Sequence, residues 1–387
     1  MSWFSGFKKK ELESIDFSVL KTDIHSHLIP GIDDGAQNLE ESLDLVCALQ
    51  ELGFSKIITT PHTMSDFSSP KEAGQFFGSF IANTWEVLFY HALFMAICVG
   101  IVLRGIHGGI EKACKVLMPT LVIILIFLMF RSLTLPGAME GIEFYLKPDF
   151  SKIGPQTILI ALGQAFFSLS LGMGCMLTYG SYLPEQENLT SATVYVVIFD
   201  TIIALLVGMV IFPAVFAMGL EPTEGPSLVF SVLPAVFVDM PFGNLVSIIF
   251  FALLAIAAIT SGISLLEVVV AYFIDQRKWD RKKAVLVTSV TIFAFGVPSG
   301  LSFGVLSETK LFDMNFFDHV DNIASNYLLP LGGMLTAIFV GWVWGTKSAE
   351  EEIEKHETKF HWGHVWGFLI RYISPVAVFL VFCAKFF

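Results

Sequence analysis

Charge is scarce in this 387-residue sequence: 15% of its residues are Asp, Glu, Lys or Arg, against about a quarter in ordinary soluble domains. Positive charge is scarcer still. There are 23 Lys and Arg against 35 Asp and Glu, a net charge of −12, which speaks against nucleic acid as a partner. Cysteine is also sparse. Cys47, Cys98, Cys114, Cys175 and Cys383 stand far apart, mostly in apolar stretches, and no CxxC pair occurs, so the reading is buried free thiols rather than a disulfide framework. The opening "MSWFSGFKKKELES" has lysines with no apolar run behind them and does not read as a secretory signal.

What the sequence has in excess is apolar: 54% of its residues are hydrophobic, 38 of them Phe. The excess starts near residue 84 and continues in blocks of roughly twenty residues, the length that crosses ~30 Å of hydrocarbon. Eight spans are expected, at about 84–104, 115–132, 155–181, 193–219, 243–274, 283–306, 322–345 and 363–386. A ninth apolar stretch, "PSLVFSVLPAVFVDMP" (226–241), is short and bracketed by prolines, and reads as a re-entrant or loop helix. The fold class is therefore an all-α polytopic membrane protein in a lipid bilayer, preceded by a short β–α–β segment.

Orientation follows from the basic loops. One set of alternate loops holds eleven Lys and Arg, between Arg104 and Lys359, and the other set holds Arg131, Lys147, Lys152 and Lys310. The first set belongs in the cytoplasm, so the first span runs inward. That leaves residues 1–83 on the outer side, with no signal to carry them there.

Residues 1–66 have soluble composition. "KTDIHSHLIP" reads as a strand. In "NLEESLDLVCALQELG", Asn38 can N-cap a helix whose capping box Glu41 closes, and Gly53 is a stop. "SKIITTPH" reads as a second strand ending at Pro61. His25 and His27 alternate on the first strand, so both can reach one cation from its C-terminal end. His62 would arrive beside them, and carboxylates such as Asp34 suit divalent ions that activate water.

"DIHSHLIPGIDDGAQNLEESL" followed by "KIITTPHTMSD" resembles the opening of polymerase-and-histidinol-phosphatase (PHP) domain metalloenzymes, above all the bacterial tyrosine phosphatases of capsule and exopolysaccharide operons. The likeness covers about residues 16–67. The later Glu, His and Asp-x-His ligands of that family are absent, because the chain turns apolar instead. Residues 1–67 thus read as a truncated domain whose His25, His27, His62 and Asp34 are relics of a metal site, not as a working enzyme.

Residues 68–387 resemble the bacterial neurotransmitter:sodium symporters, which couple Na⁺ to amino-acid uptake. "RGIHGGIEKACKVLMP" (104–119) resembles the loop between that family's fourth and fifth helices, and "TLPGAMEGIEFYLKPDFSKI" (134–153) its long outer loop before helix six. "GQAFFSLSLGMG" (163–174) resembles the unwound centre of helix six, and "AAITSGIS" (257–264) the sodium-site stretch of helix eight. Read without the family, small and hydroxyl residues interrupt a span here, and Gly172 and Gly174 permit non-helical backbone over 166–174. Such a break at membrane depth occurs where it lines a cavity.

The resemblance implies that Phe167, Ser168, Ser170 and Met173 line a pocket for a small amino-acid-like substrate, with Gln164 just outside. Sodium sites would take Ser168 and Asp200 on one side, and Ala257 (through its carbonyl), Thr260 and Ser261 on the other. Asp200 stands in "VVIFDTIIALLVGMVIFP", where an ionised carboxylate costs roughly 2.5–3.5 kcal/mol, at a position where the family often has Asn. Tyr182 and Asp275 would sit at an inner gate and Asp321 at an outer one. Glu267 is a second intramembrane carboxylate, to which neither pattern nor resemblance gives a role. The first apolar span matches helix four, so helices one to three, which complete both ion sites, are replaced by the phosphatase-like segment. The expectation is a multi-pass protein of the bacterial inner membrane: a partial inverted-repeat symporter fold without activity as a truncated fusion, the other reading being a membrane-anchored phosphatase. Sequence leaves the oligomeric state open.

Overall fold

The computed structural model describes residues 22–26, 39–51, 56–59, 70–184, 186–220, 225–226, 228–238, 240, 242–355 and 360–383. The chain divides into two compact units, Met1–Ser68 and Ser69–Phe387. In the first, β1 (Thr22–Ser26) and β2 (Lys56–Thr59) pair in parallel, Thr22 with Lys56 and Asp23 with Ile57, and α1 (Leu39–Glu51) crosses between them. This is the β–α–β order read from the sequence. His25 lies in β1; Asn38, Gly53, His27, Asp34 and His62 lie outside the described residues.

The second unit is helical. After α2 (Pro70–Ala82) come α3 (Thr84–Val102), α4 (Ile106–Leu133), a short α5 (Ala138–Leu146), α6 (Pro155–Ser168) and α7 (Cys175–Gly180). Then follow α8 (Leu189–Ala217), the short α9 (Leu228–Val238), α10 (Gly243–Arg277), α11 (Arg281–Phe303), α12 (Phe316–Glu354) and α13 (Gly363–Cys383). Among the described residues seven helices are long and apolar enough to cross a membrane: α3, α4, α8, α10, α11, α12 and α13. The third expected span, at about 155–181, is divided. Residues 155–180 form two helices, α6 and α7, neither long enough alone. The break falls at 169–174, so Phe166, Phe167 and Ser168 stay helical where the sequence suggested an earlier interruption.

Helix starts are set by side chains that accept orphan amide hydrogens. Asn83 accepts from Trp85 and Glu86 at the head of α3, Asn188 from Ser191 before α8, and Asp280 from Lys283 before α11. The helices between are apolar all round, as spans in lipid must be. Two apolar cores hold them together. Leu125, Val215, Leu233, Val236 and Phe250 join α4, α8, α9 and α10. Cys98, Val102, Ile263, Val270 and Val285 join α3, α10 and α11. Small residues allow the closest approaches: a Cβ at Gly141 of α5 would meet the Phe212 carbonyl at 2.4 Å, and one at Gly208 of α8 the Tyr145 ring at 2.1 Å.

The break between α6 and α7 rests on glycine too. Ser170, Gly172 and Gly174 all have positive φ, at 53°, 84° and 83°. At Gly172 an added Cβ would fall 2.4 Å from the Leu329 carbonyl and 2.7 Å from the Gly333 amide of α12, and one at Gly332 would fall 2.4 Å from the Gly172 carbonyl. Gly172→Ala therefore combines a left-handed-region penalty of about 1–2 kcal/mol with a backbone clash. It is expected to lower the thermal midpoint of the detergent-purified chain by several degrees. Gly78→Ala in α2, where a Cβ meets nothing within 4 Å, is expected to leave the midpoint unchanged or raise it by the equivalent of about 0.5–1 kcal/mol. Equal effects at the two positions would contradict this packing.

Candidate functional site

The broken helix opens one wall of a cavity of about 930 Å³. Phe167 and Ser168 reach it from the end of α6, Ser170 and Met173 from the break, Tyr179 from α7 and Tyr182 from just beyond. Thr260, Ser261 and Ser264 face them from α10, and Ile106, Ile110 and Cys114 close it from α4. Phe167, Ser168, Ser170 and Met173 thus share one space with Thr260 and Ser261. Gln164 does not. It lines a neighbouring cavity of about 400 Å³, between α6, α12 and α13, to which Phe167 also contributes.

The two oxygen clusters are distinct. The Ser168 hydroxyl donates to the Asp200 carboxylate of α8 at 2.9 Å, which gives that intramembrane acid a local partner. On α10 the Thr260 hydroxyl donates to the Ala257 carbonyl at 2.9 Å, Ser264 donates to the Thr260 carbonyl at 3.0 Å, and the Tyr179 phenol reaches Ser264 at 2.7 Å. Hydroxyls and carbonyls are hard donors suited to a small alkali cation, but each cluster offers only part of a coordination shell. Among the described residues no group of three or more His, Cys, Asp or Glu is placed to hold a metal.

Glu267 acquires a definite environment. Its side chain is fully buried, and Arg281 of α11 grips it in a two-pronged ion pair at 2.6 and 3.1 Å. The same Arg281 donates through Nε to the Val102 carbonyl at the end of α3, at 2.9 Å, and the Tyr182 phenol donates to Glu267 at 2.7 Å. Burial, and after it the bond to Glu267, hold the Tyr182 phenol above its ordinary pKa; the nearby charge of Asp275 pushes the same way. Asp275 itself is exposed near the end of α10, and Asp321 in α12 accepts from Ser325 at 3.1 Å. Sequence reasoning counted Arg281 as a loop cation and left Glu267 without a role. The usable signal was that a buried carboxylate in a span demands a cation, with Arg281 first in the helix after the next loop.

A helical membrane protein with one span broken beside a cavity has the construction of transporters built on discontinuous helices. Comparison with known proteins specifies it further. Residues 75–387 match the sodium:neurotransmitter symporter family, and the chain belongs to that family. It is 42% identical over 315 residues to the uncharacterized sodium-dependent transporter YhdH of Bacillus subtilis, covering 81% of this chain and 70% of that protein. A Haemophilus influenzae sodium-dependent transporter is 40% identical, over 86% and 74% of the two chains. The crystal structure of MhsT in complex with L-phenylalanine superposes with a TM-score of 0.73 at 48% identity, covering 80% of this chain and 70% of that one. Residues 21–76 match a second family, capsular polysaccharide synthesis CpsB/CapC. The chain is thus a multi-pass protein of the bacterial inner membrane, from a sodium-dependent transporter family.

The Glu267–Arg281 pair gives a direct test. Removing one partner strands a buried charge and costs about 3–5 kcal/mol, whereas removing both costs less than the sum. Arg281→Met is expected to lower the thermal midpoint further than the double substitution Glu267→Gln with Arg281→Met. Additive effects would mean that the two side chains do not interact.

Proposed function

We propose that residues 69–387 form the substrate- and ion-binding part of a sodium-coupled amino-acid symporter, corresponding to the family's fourth to eleventh helices. The observation that carries this reading is the single cavity shared by Phe167, Ser168, Ser170, Met173, Thr260 and Ser261. Phe167 and Met173 supply apolar contact for a side chain, and the serines with the ends of α6 and α7 supply polar contact for a compact zwitterion. The complex of the related MhsT with L-phenylalanine supports an amino acid as substrate. Ser168 and Asp200 would hold one sodium ion, and the carboxylate would bring fixed negative charge to it. The Ala257 carbonyl, Thr260 and Ser261 would hold a second. Tyr182 and Asp275, with Glu267 and Arg281, would guard the cytoplasmic side, and Asp321 the outer side.

The 387-residue chain is proposed to be inactive by itself and not to be an enzyme. Its residues 1–67, with His25, His27, Asp34 and His62, are assigned as a truncated PHP-type fragment, since the sequence carries no later ligands of that family. In the membrane part each oxygen cluster needs further ligands from another element, and half of Phe167 stands exposed, at 54%. Lipid or water in place of those ligands cannot select Na⁺. In proteoliposomes holding this chain alone, an inward Na⁺ gradient is expected to drive no accumulation of labelled L-phenylalanine or L-leucine. Robust Na⁺-driven uptake abolished by Thr260→Ala or Asp200→Ala would overturn the inactivity and uphold the sites. An aryl-phosphatase assay with Mn²⁺ or Zn²⁺ is expected to give no turnover; turnover lost in His25→Ala would restore the enzymatic reading.

A further inference from the structure

The last two helices meet at two widened turns. Phe339–Gly345 of α12 and Leu369–Ile373 of α13 follow π rather than α hydrogen bonding, and such turns disturb the ladder of backbone partners. Each helix here caps the other. Arg371 Nε donates to the Gly341 carbonyl at 2.9 Å, and Trp342 Nε1 donates to the Arg371 carbonyl at 3.1 Å. Gly341 permits the approach, since a Cβ there would lie 3.0 Å from the Arg371 Cα. The guanidinium also sits 5.2 Å from the Trp342 ring, and Tyr372 meets that ring edge-on at 5.6 Å.

This arrangement uses one of the guanidinium's five N–H groups. None of the ion pairs among described residues includes Arg371, and an unpaired cation within a span is costly. Its depth suggests how it is satisfied. Arg371 is eight residues beyond Gly363, the start of α13, or about 12 Å along the axis. Lys347, Lys355 and Lys359 in the segment 346–362, which also holds five glutamates, place that start on the cytoplasmic side, since sidedness follows Lys and Arg rather than net charge. Helical side chains lean toward the N-terminus, so the Arg371 stem points back toward the cytoplasmic interface, the direction in which arginine snorkels. Trp342 and Tyr372 flank it, 57% and 46% exposed on the protein surface, as amphipathic rings do at headgroup depth. A phosphate diester is the planar fork's natural bidentate partner, and the cytoplasmic leaflet is rich in anionic lipid.

We propose that Arg371, Trp342 and Tyr372 form a binding site for the phosphate of an anionic phospholipid in the cytoplasmic leaflet. The inference does not depend on transport. The test is native mass spectrometry of the full chain purified from mixed micelles of phosphatidylglycerol and phosphatidylcholine, with inorganic phosphate as a separate arm. Phosphatidylglycerol is expected to be retained over phosphatidylcholine, and Arg371→Gln to reduce that retention by roughly fivefold or more. Inorganic phosphate is expected neither to bind nor to compete. Equal retention by the wild-type chain and Arg371→Gln would overturn the site, and competition by inorganic phosphate would overturn its assignment to lipid. Should Arg371→Gln not be recovered folded, Trp342→Phe decides. It keeps the cation and loses the indole donor, and is expected to lower retention at least about twofold; unchanged retention would overturn the site.

Discussion

Where α6 stops, its backbone touches another backbone. The Gly172 carbonyl, the Gly332 and Gly333 positions of α12, and the Leu329 carbonyl approach so closely that a single methyl group at Gly172 or Gly332 would collide. Much else follows from that contact. It accompanies non-helical backbone over 169–174, where Ser170 and Met173 line the cavity. A break in a span leaves amides and carbonyls to be satisfied inside the protein. Here that cost falls at the wall of the cavity lined by Ser170, Met173, Thr260 and Ser261.

The polar groups around the break are paired locally. Ser168 answers Asp200, Thr260 answers its own helix, and Tyr179 answers Ser264. Near the end of α10 the buried Glu267 collects Arg281 and Tyr182, and Arg281 in turn reaches the end of α3. The pair therefore ties α3, α10, α11 and the segment after α7 at one point. In a medium of low dielectric such a pair is stable only while both charges are present.

Much of this was legible in the sequence because membranes impose simple rules. Length and hydropathy located the spans, Pro226 and Pro241 marked the short helix between them, and the glycine spacing at 172 and 174 marked the break. The start of that break was misplaced by three residues, because Phe166 to Ser168 have no feature that forbids helix; the end of α6 is set by contact with α12, which is a tertiary fact. The candidate site residues on α6, α8 and α10 could be proposed from motif resemblance, yet pattern alone could not reveal that Gln164 lines a different cavity from Ser168. Nor could it pair Glu267 with Arg281, because the two are joined by the packing of α10 against α11. The π turns at 339–345 and 369–373 have no sequence signature.

The central claim is that glycine contacts between the 169–174 segment and α12 break the helix and build the cavity. An electron cryomicroscopy map of the 387-residue chain in lipid nanodiscs tests it most directly. The account predicts helical density that ends near Ser168, resumes at Cys175, and has Gly172 in backbone contact with Gly333. Continuous helix from Pro155 to Gly180, with Gly172 away from α12, would contradict it.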